Sequence, residues 1–249
     1  MELIAALDLI DGRGVRLRQG DYGRLIPGSD DPVGLAQQWA SAGVPRLHLV
    51  DLDGARAGQP RQLDLVAEIA SAARSAGRTV RLQAGGGLRT AEAVDAVLSA
   101  GVDDAILGTA ALERPGFVTE CAAHWPGRIL VSLDLRDGRP ALDGWRRAAD
   151  HDPISVARAL LAAGAAGVLI TDTHRDGMLG GPNLEVLEAF RKALPDSWLA
   201  GAGGVSSEAD LLAMRDIGLD GAVVGLALLT GGVRLPSAVA MLAAAEVRR

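Results

Sequence analysis

The segment Leu7-Asp8-Leu9-Ile10-Asp11-Gly12 occurs a second time, with a single residue changed, as Leu133-Asp134-Leu135-Arg136-Asp137-Gly138. Each copy ends a short apolar run, Leu3–Leu7 in the first half of the chain and Ile129–Leu133 in the second. Aspartate is a poor strand former and is costly to bury without a partner. Two strands that both end on aspartate therefore indicate carboxylates that face a shared site.

Around this repeat, short apolar runs alternate with longer amphipathic runs along the whole chain. Strict alternation of strand and helix implies parallel strands joined by helical crossovers, and eight such units predict a single α/β domain, a (β/α)8 TIM barrel of residues 1–249. The predicted strands are Leu3–Leu7, Leu47–Val50, Val80–Gln83, Ala105–Leu107, Ile129–Leu133, Gly167–Ile170, Trp198–Ala200 and Ala222–Val224. The predicted helices are Pro32–Ala42, Gln62–Ser75, Thr90–Ser99, Pro115–His124, Pro153–Ala163, Leu184–Ala193, Ser206–Ile217 and Pro236–Val247.

The repeat extends beyond the opening segment, whose two copies lie 126 residues apart. Further landmarks recur in the same order at shifts of 117 to 121 residues. They are Asp51 with Asp172, Gly86-Gly87 with Gly203-Gly204, and Gly108 with Gly225. We therefore predict a barrel built from two similar half-barrels, roughly residues 1–125 and 126–249.

An open doubly wound sheet is the main alternative fold for a chain that alternates strands and helices. Such a sheet carries its glycine fingerprint, G-x-G-x-x-G, in the turn after the first strand. Here that turn is Asp8–Gly14, which lacks the pattern. We therefore reject the open sheet in favour of the closed barrel.

Composition excludes several classes of function. No run of 18 apolar residues is present, and the N-terminal residues carry no basic segment or cleavage site, so we expect a cytoplasmic protein. The net charge of −6 argues against non-specific binding to nucleic acid or to a membrane surface. The single cysteine, Cys121, excludes an internal disulfide, and the single lysine, Lys192, lies where the outer end of a helix is predicted, unsuited to Schiff-base chemistry.

Glycine-rich loops follow the third, fourth, seventh and eighth predicted strands. Glycine lets the backbone approach an anion, and the next helix offers free amides and a positive dipole end. Because barrels of this kind bind phosphate after their last two strands, the half-repeat predicts two phosphate sites and a small molecule with a phosphate at each end. The predicted binding residues are Gly86, Gly87, Arg89, Gly108 and Thr109 in the first half and Gly203, Gly204, Gly225 and Leu226 in the second.

Asp8 and Asp134 end the first and fifth predicted strands, so they should face each other across the barrel mouth. Two such carboxylates suit general acid–base catalysis if their environments keep one ionised and the other protonated. Asp176 is a third candidate for proton transfer. No cluster has metal-ligand spacing, so proton transfer without a metal is the simplest interpretation. We interpret His48 as structural and His174 as a solvated loop residue.

Two connections are longer than the usual strand-to-helix loop. The first, Leu9–Asp31, contains Arg16 and Gln19, and the second, Leu135–Asp152, contains Trp145. Long arginine-bearing loops over the active face are typical of lids that close on a polyanion. We expect Arg16 and Gln19 to bind the substrate, and Trp145 either stacks on a planar heterocycle or anchors its loop.

Together these motifs resemble the HisA family, the phosphoribosylformimino-aminoimidazole-carboxamide-ribotide isomerases of histidine biosynthesis. The resemblance covers every predicted strand, and it is carried by residues 6–22, 47–55, 85–90, 107–111, 143–145, 171–183 and 203–207. It implies an aldose–ketose isomerase (Amadori rearrangement) that uses no metal or cofactor. It makes Asp8 the proton acceptor and Asp134 the proton donor, with Thr171 and Asp176 as further active-site residues. The chain departs from the family pattern at Ala202 and after Gly225.

Three other interpretations remain open at this point: the sister cyclase, a bifunctional relative and a non-catalytic barrel. The sister cyclase family shares the barrel and both aspartates, but residues 16–22 favour the isomerase. A bifunctional relative also isomerises phosphoribosylanthranilate, whereas the dedicated anthranilate isomerase uses a cysteine base where this chain has Asp8. A barrel that only binds phosphosugars would keep the glycines but not both aspartates.

We expect the protein to be a monomer.

Overall fold

The computed structural model describes residues 1–142, 147–148 and 151–246. Its strands are β1 (Glu2–Ile10), β2 (Arg13–Arg18), β3 (Asp21–Ser29), β4 (Arg46–Asp51), β5 (Arg81–Gly85), β6 (Asp104–Leu107), β7 (Ile129–Arg136), β8 (Arg139–Leu142), β9 (Arg147–Ala148), β10 (Gly167–Asp172), β11 (Leu199–Ala202) and β12 (Gly221–Val224). Its helices are α1 (Pro32–Ser41), α2 (Leu52–Ala57), α3 (Leu63–Ser75), α4 (Ala91–Ser99), α5 (Thr109–Glu113), α6 (Pro115–His124), α7 (Pro153–Ala162), α8 (Leu184–Ala193), α9 (Glu208–Asp216), α10 (Leu226–Leu229) and α11 (Leu235–Glu246).

Eight parallel strands close into a barrel in the order β1, β4, β5, β6, β7, β10, β11 and β12. The ring is closed by pairing of β12 with β1, where Glu2 is in register with Gly221. The predicted (β/α)8 barrel is therefore confirmed, and the open sheet is excluded. Because β1 and β7 are separated by three strands on either side, the aspartates they carry lie on opposite walls.

All eight predicted barrel strands and all eight predicted helices are present, with bounds that differ by at most three residues. The largest differences are at the ends of β1 and β7, which both continue into antiparallel hairpins with β2 and β8. The turns are Asp11-Gly12 and Asp137-Gly138, and all four residues have φ between 47° and 78°. Positive φ at both central residues is the type I′ hairpin turn that Asp-Gly favours. The repeated segment therefore forms the same strand and turn twice.

The first long connection is not the loop that the sequence analysis predicts. Residues 13–29 form β2 and β3, an antiparallel ribbon that extends from β1. Val15 and Leu17 alternate with arginines along β2 and are buried in a small apolar cluster with Leu52. Burial of this alternating face explains why the segment is a strand, since residues i and i+2 share one side.

The floor of the barrel, opposite the strand ends that carry the aspartates, holds a buried ion-pair network. Arg46 is 6% exposed and contacts Asp104 Oδ2 at 2.7 Å and Glu2 Oε2 at 2.7 Å. Asp104 is 1% exposed and also pairs with Arg81. The Arg46 guanidinium lies 5.1 Å from the Trp198 ring centroid. Apolar side chains of five barrel strands form a separate buried cluster inside the barrel, namely Ile4, Ile106, Leu130, Leu169 and Ala200.

Replacing Asp104 by Ala is expected to lower the free energy of unfolding by about 3 kcal/mol, because it leaves buried arginine charge without its main partner. Urea unfolding followed by circular dichroism measures the change. The matched control is Glu2→Ala, which removes the more exposed partner of the same Arg46 and should cost about 1 kcal/mol or less. Equal losses in the two variants would contradict this account of the floor.

Across residues 1–142, 147–148 and 151–246, none of the helices combines the length and apolar character that a membrane span requires.

Candidate active site

A cavity of about 260 Å³ opens at the carboxyl ends of the barrel strands. The four predicted catalytic residues all line it, although they come from three different parts of the chain: Asp8, Asp134, Thr171 and Asp176. Thr171 on β10 is in register with Asp134 on the neighbouring strand β7. The barrel therefore gathers three carboxyl groups and one hydroxyl around one space.

Asp8 is held by an ion pair that the sequence does not predict. Arg16 Nη1 contacts Asp8 Oδ1 at 2.7 Å, and the two side chains are 9% and 16% exposed. The same guanidinium donates to the carbonyl of Ala6. Register explains the contact, because the hairpin pairs Asp8 with Val15 and so brings Arg16 back alongside β1. Arg16, predicted to bind substrate from a lid, lies in the cavity wall, where it pairs with Asp8.

Asp134 and Asp176 have different surroundings. Ser132 Oγ donates to Asp134 Oδ1 at 2.9 Å. The pKa of Asp176 is raised to about 7, mainly by burial and next by the negative charge of Asp8, with a smaller rise from Asp134, while the positive charge of Arg16 opposes the rise. Asp176 is therefore partly protonated at neutral pH.

The loop that carries Asp176 is fixed by the β2–β3 ribbon. The backbone N–H of Gln19 donates to the Asp176 carbonyl at 3.1 Å, and Gln19 Nε2 donates to the His174 carbonyl at 2.9 Å. His174 is an exposed loop residue, as the sequence predicts, and its Nε2 lies 2.9 Å from Asp137 Oδ1. Gln19, predicted to bind substrate, is not among the residues that line the cavity and instead holds this loop.

The glycine pairs repeat their geometry in the two halves. Gly86 has φ of 115° and Gly203 has φ of 92°. A Cβ at Gly86 would overlap the carbonyl oxygen of Asp51, and a Cβ at Gly203 would lie 2.6 Å from the carbonyl oxygen of Asp172. Tight packing against the preceding strand therefore requires glycine at both positions. This packing requirement would exist with or without a bound anion.

Alanine at either position is expected to destabilise the fold by about 2 kcal/mol or more, because positive φ and overlap with backbone atoms both carry a cost. Thermal and urea unfolding of Gly86→Ala and Gly203→Ala measure the loss. The control is Gly116→Ala in α6, where a Cβ meets no atom within 4 Å. That control should be neutral or stabilising, and similar stability of all three variants would contradict the packing account.

Only the first-half phosphate loops reach the cavity that holds the carboxyl groups. Among the predicted binding residues, those that line it are Arg16, Gly86, Gly87, Arg89, Gly108 and Thr109. Those outside its lining are Gln19, Gly203, Gly204, Gly225 and Leu226. Gly225 packs against Arg16, which lines the cavity, and a Cβ at Gly225 would lie 2.5 Å from Arg16 Cζ. Trp145 lies outside the described residues.

Two short helices begin where the predicted phosphate loops end. Within the described residues, no side chain caps α5 at Gly108 or α10 at Gly225. By contrast, Thr90 caps α4 and Ser207 caps α9 in a capping box. α5 and α10 therefore begin in the same way, without a side-chain cap, at the same place in each half.

Three polar residues line the cavity although the sequence analysis did not assign them to a site: Tyr22, His48 and Ser132. Their positions carry a weak signal. His48 alternates with Leu47 and Leu49, which are buried in the outer core, so it points into the barrel. Ser132 occupies in the second half the place of Ala6 in the first. Among the described residues, no group of three or more His, Cys, Asp or Glu could hold a metal ion.

Comparison with known proteins agrees with this geometry. Residues 2–234 match the family described as histidine biosynthesis protein. A protein of Picosynechococcus sp. (strain PCC 7002) is 45% identical over 242 residues, 96% of this chain and 92% of the relative. It is named 1-(5-phosphoribosyl)-5-((5-phosphoribosylamino)methylideneamino) imidazole-4-carboxamide isomerase.

Proteins with the same name occur in Alkalilimnicola ehrlichii and Methylococcus capsulatus. Each is 44% identical to this chain, with coverage of 96% of this chain and 95% of the relative in the first case and 93% and 94% in the second. The similarity extends across the whole barrel and includes the strand ends that carry the carboxyl groups. The chain belongs to the histidine biosynthesis protein family.

Proposed function

We propose that this protein is a single-domain aldose–ketose isomerase of histidine biosynthesis, which converts the aminoaldose ProFAR to the aminoketose PRFAR. The observation that carries the proposal is the cavity in which Asp8 and Asp134 occupy opposite walls, Asp8 is paired with Arg16, and the pKa of Asp176 is raised. An Amadori rearrangement needs a general base and a general acid around one substrate.

The reaction begins with opening of the sugar ring. Asp176 donates its proton to the ring oxygen, the bond from that oxygen to C1 breaks, and C1 becomes a protonated Schiff base with the exocyclic nitrogen. Asp176 suits this step because its raised pKa keeps it protonated near neutral pH. The carboxylate left behind is ready to take a proton later in the cycle.

Proton transfer between carbons then completes the isomerisation. Asp8 takes the proton from C2, which gives an enolamine. Asp134, the proton donor implied by the resemblance, protonates C1, and the C2 hydroxyl returns a proton to Asp176 as the carbonyl forms. Exchange with water resets Asp8 and Asp134. The contact with Arg16 holds the Asp8 side chain in the cavity wall, which supports its role as the base.

The ends of the substrate are proposed to bind at the glycine loops that recur in the two halves. One phosphate would lie against Gly86, Gly87, Arg89, Gly108 and Thr109. The second would lie against Gly203, Gly204, Gly225 and Leu226 across the barrel mouth. Two equivalent anion sites on opposite sides suit a substrate with a phosphate at each end.

Genetic complementation tests the proposed function. A bacterial strain that lacks this histidine-pathway isomerase should grow without histidine when it expresses the protein. A strain that lacks the anthranilate-pathway isomerase should still require tryptophan. Rescue of both strains would indicate a bifunctional isomerase. Failure of both rescues by a protein that is expressed and folded would overturn the proposal in favour of the cyclase or a phosphosugar-binding barrel.

A further inference from the structure

His48 has no role in the steps described above, although it lies in the wall of the same cavity. It projects from β4 into the barrel, in register with Ala6 on β1 and Gln83 on β5. It is only partly buried, whereas its neighbours Leu47 and Leu49 are fully buried in the outer core. Its exposed part therefore faces the space in which the substrate is proposed to react.

A chain of hydrogen bonds runs from the barrel floor to this histidine. Asp104 pairs with Arg46 at 2.7 Å, and Arg46 Nη1 donates to Gln83 Oε1 at 3.3 Å. Gln83 is completely buried, and its Nε2 lies 2.9 Å from His48 Nδ1. The network therefore connects the ion pairs of the floor to the cavity through one buried amide.

The chemistry of the groups fixes the direction of each hydrogen bond. A guanidinium can only donate, so the Gln83 oxygen must face Arg46 and its NH2 group must face His48. His48 Nδ1 must then accept. A neutral imidazole that accepts at Nδ1 carries its proton on Nε2. The network thus selects one tautomer of His48, with Nε2–H as a donor.

His48 is kept neutral by its surroundings. The pKa of His48 is lowered to about 3, mainly by burial and also by the positive charges of Arg16 on β2 and Arg46 on its own strand. His48 is therefore neither an acid nor a base near neutral pH. Among the described residues, no hydrogen-bond partner is found for Nε2, and this atom is not one of the fully buried unpaired polar atoms.

We propose that His48 is an additional catalytic residue, whose Nε2–H donates a hydrogen bond to the C2 oxygen of the sugar as that oxygen becomes a carbonyl. Gln83 is the positioning residue that selects this tautomer. The inference rests on the proposed isomerase function and adds a donor that the three carboxyl groups do not supply. A neutral imidazole suits the role, because a charged one would give up its proton to the nearby carboxylates.

The kinetic test compares two substitutions of similar size. His48→Leu removes the donor, and we expect kcat to fall about 100-fold with KM changed less than threefold, in line with loss of one donor aimed at developing charge. His48→Gln can place an NH2 group near the position of Nε2 and should retain at least a tenth of wild-type kcat. Thermal unfolding establishes that both variants are folded.

The spectroscopic test uses protein labelled with 15N in its histidine side chains, with His48→Gln to assign the signal. We expect His48 to be neutral with the proton on Nε2 from pH 5 to pH 9. Gln83→Glu offers an acceptor to Nδ1 and keeps a partner for Arg46, so it should move the proton to Nδ1 and lower kcat about as far as His48→Leu. This change of tautomer would not occur if Gln83 were only structural.

The outcomes separate this inference from the proposed function. Two results would overturn the role of His48 but leave the isomerase function intact. One is an active wild-type enzyme together with an unchanged kcat in a folded His48→Leu variant. The other is a wild-type spectrum with the proton on Nδ1. A wild-type protein without turnover of the aminoaldose would overturn the isomerase function, and the role of His48 with it.

Discussion

Replacing Asp8 by Asn is expected to lower kcat for the aminoaldose by about 10²- to 10⁴-fold, the usual contribution of a positioned general base. The amide has the shape of the carboxylate but cannot take the C2 proton. Its oxygen can still accept from Arg16, so the ion-paired wall keeps its packing and ligand binding should change little. Steady-state turnover and calorimetric binding of the aminoketose product measure the two effects separately.

Asp11→Asn is the matched control for this variant. Asp11 belongs to the same repeated segment, but it is exposed and occupies the hairpin turn with φ of 47°, a conformation that asparagine tolerates. Its kcat should stay within twofold of wild type. Substantial turnover by Asp8→Asn, or an equal loss in Asp11→Asn, would reject Asp8 as the base.

Replacing Asp176 by Asn is expected to stabilise the protein at pH 8 while it lowers kcat at least 100-fold. The pKa of Asp176 is raised from 3.8 to about 7 in the folded state, mainly by burial. Between these values the folded state holds a proton that the unfolded state has lost, so stability falls as pH rises. Above pH 7 the raised pKa of Asp176 lowers the free energy of unfolding by its full amount. This loss is roughly 4 kcal/mol, since each pKa unit corresponds to about 1.36 kcal/mol.

Urea unfolding at pH 4 and pH 8 measures this effect. Asp176→Asn should be more stable than wild type at pH 8 by up to roughly 4 kcal/mol, with the difference much reduced at pH 4. The control Asp216→Asn, on the surface of α9, should show no such pH dependence. A wild-type protein that is more stable than Asp176→Asn at pH 8 would mean that Asp176 is ionised and stabilised in the fold.

The pH dependence of turnover gives an independent check on the same residue. If protonated Asp176 opens the ring, wild-type kcat should decrease above about pH 7, where Asp176 ionises. The residual activity of Asp176→Asn should lack this decrease, because no proton is lost from the amide. Retention of the decrease in the variant would assign ring opening to another group, with Asp134→Asn as the next variant to examine.

Much of this arrangement can be predicted from the sequence because it depends on local patterns. Strand and helix alternate with clear periods, and the glycine landmarks recur at nearly constant shifts. The repeated Asp-Gly turns carry their own conformational preference, which the structure shows at Asp11-Gly12 and Asp137-Gly138. Opposition of Asp8 and Asp134 then follows from strand order in a closed barrel.

The remaining features depend on contacts between distant segments. The arginine-rich sequence of β2 is typical of a polar loop. Only the register of the β2–β3 ribbon shows that Arg16 reaches Asp8. The proton on Asp176 depends on burial by segments far away in sequence. His48 was interpreted as structural because a histidine in a buried strand gives no sign of the cavity beside it or of the amide behind it.

One turnover measurement tests the central claim most directly. It compares the purified wild-type protein with Asp8→Asn on two substrates, the histidine-pathway aminoaldose and phosphoribosylanthranilate. We predict that the wild-type protein converts the first substrate to the aminoketose without added metal or cofactor, that it leaves the second unchanged, and that Asp8→Asn is inactive on both. Absence of turnover on the first substrate by folded wild-type protein, or full turnover by Asp8→Asn, would contradict the account.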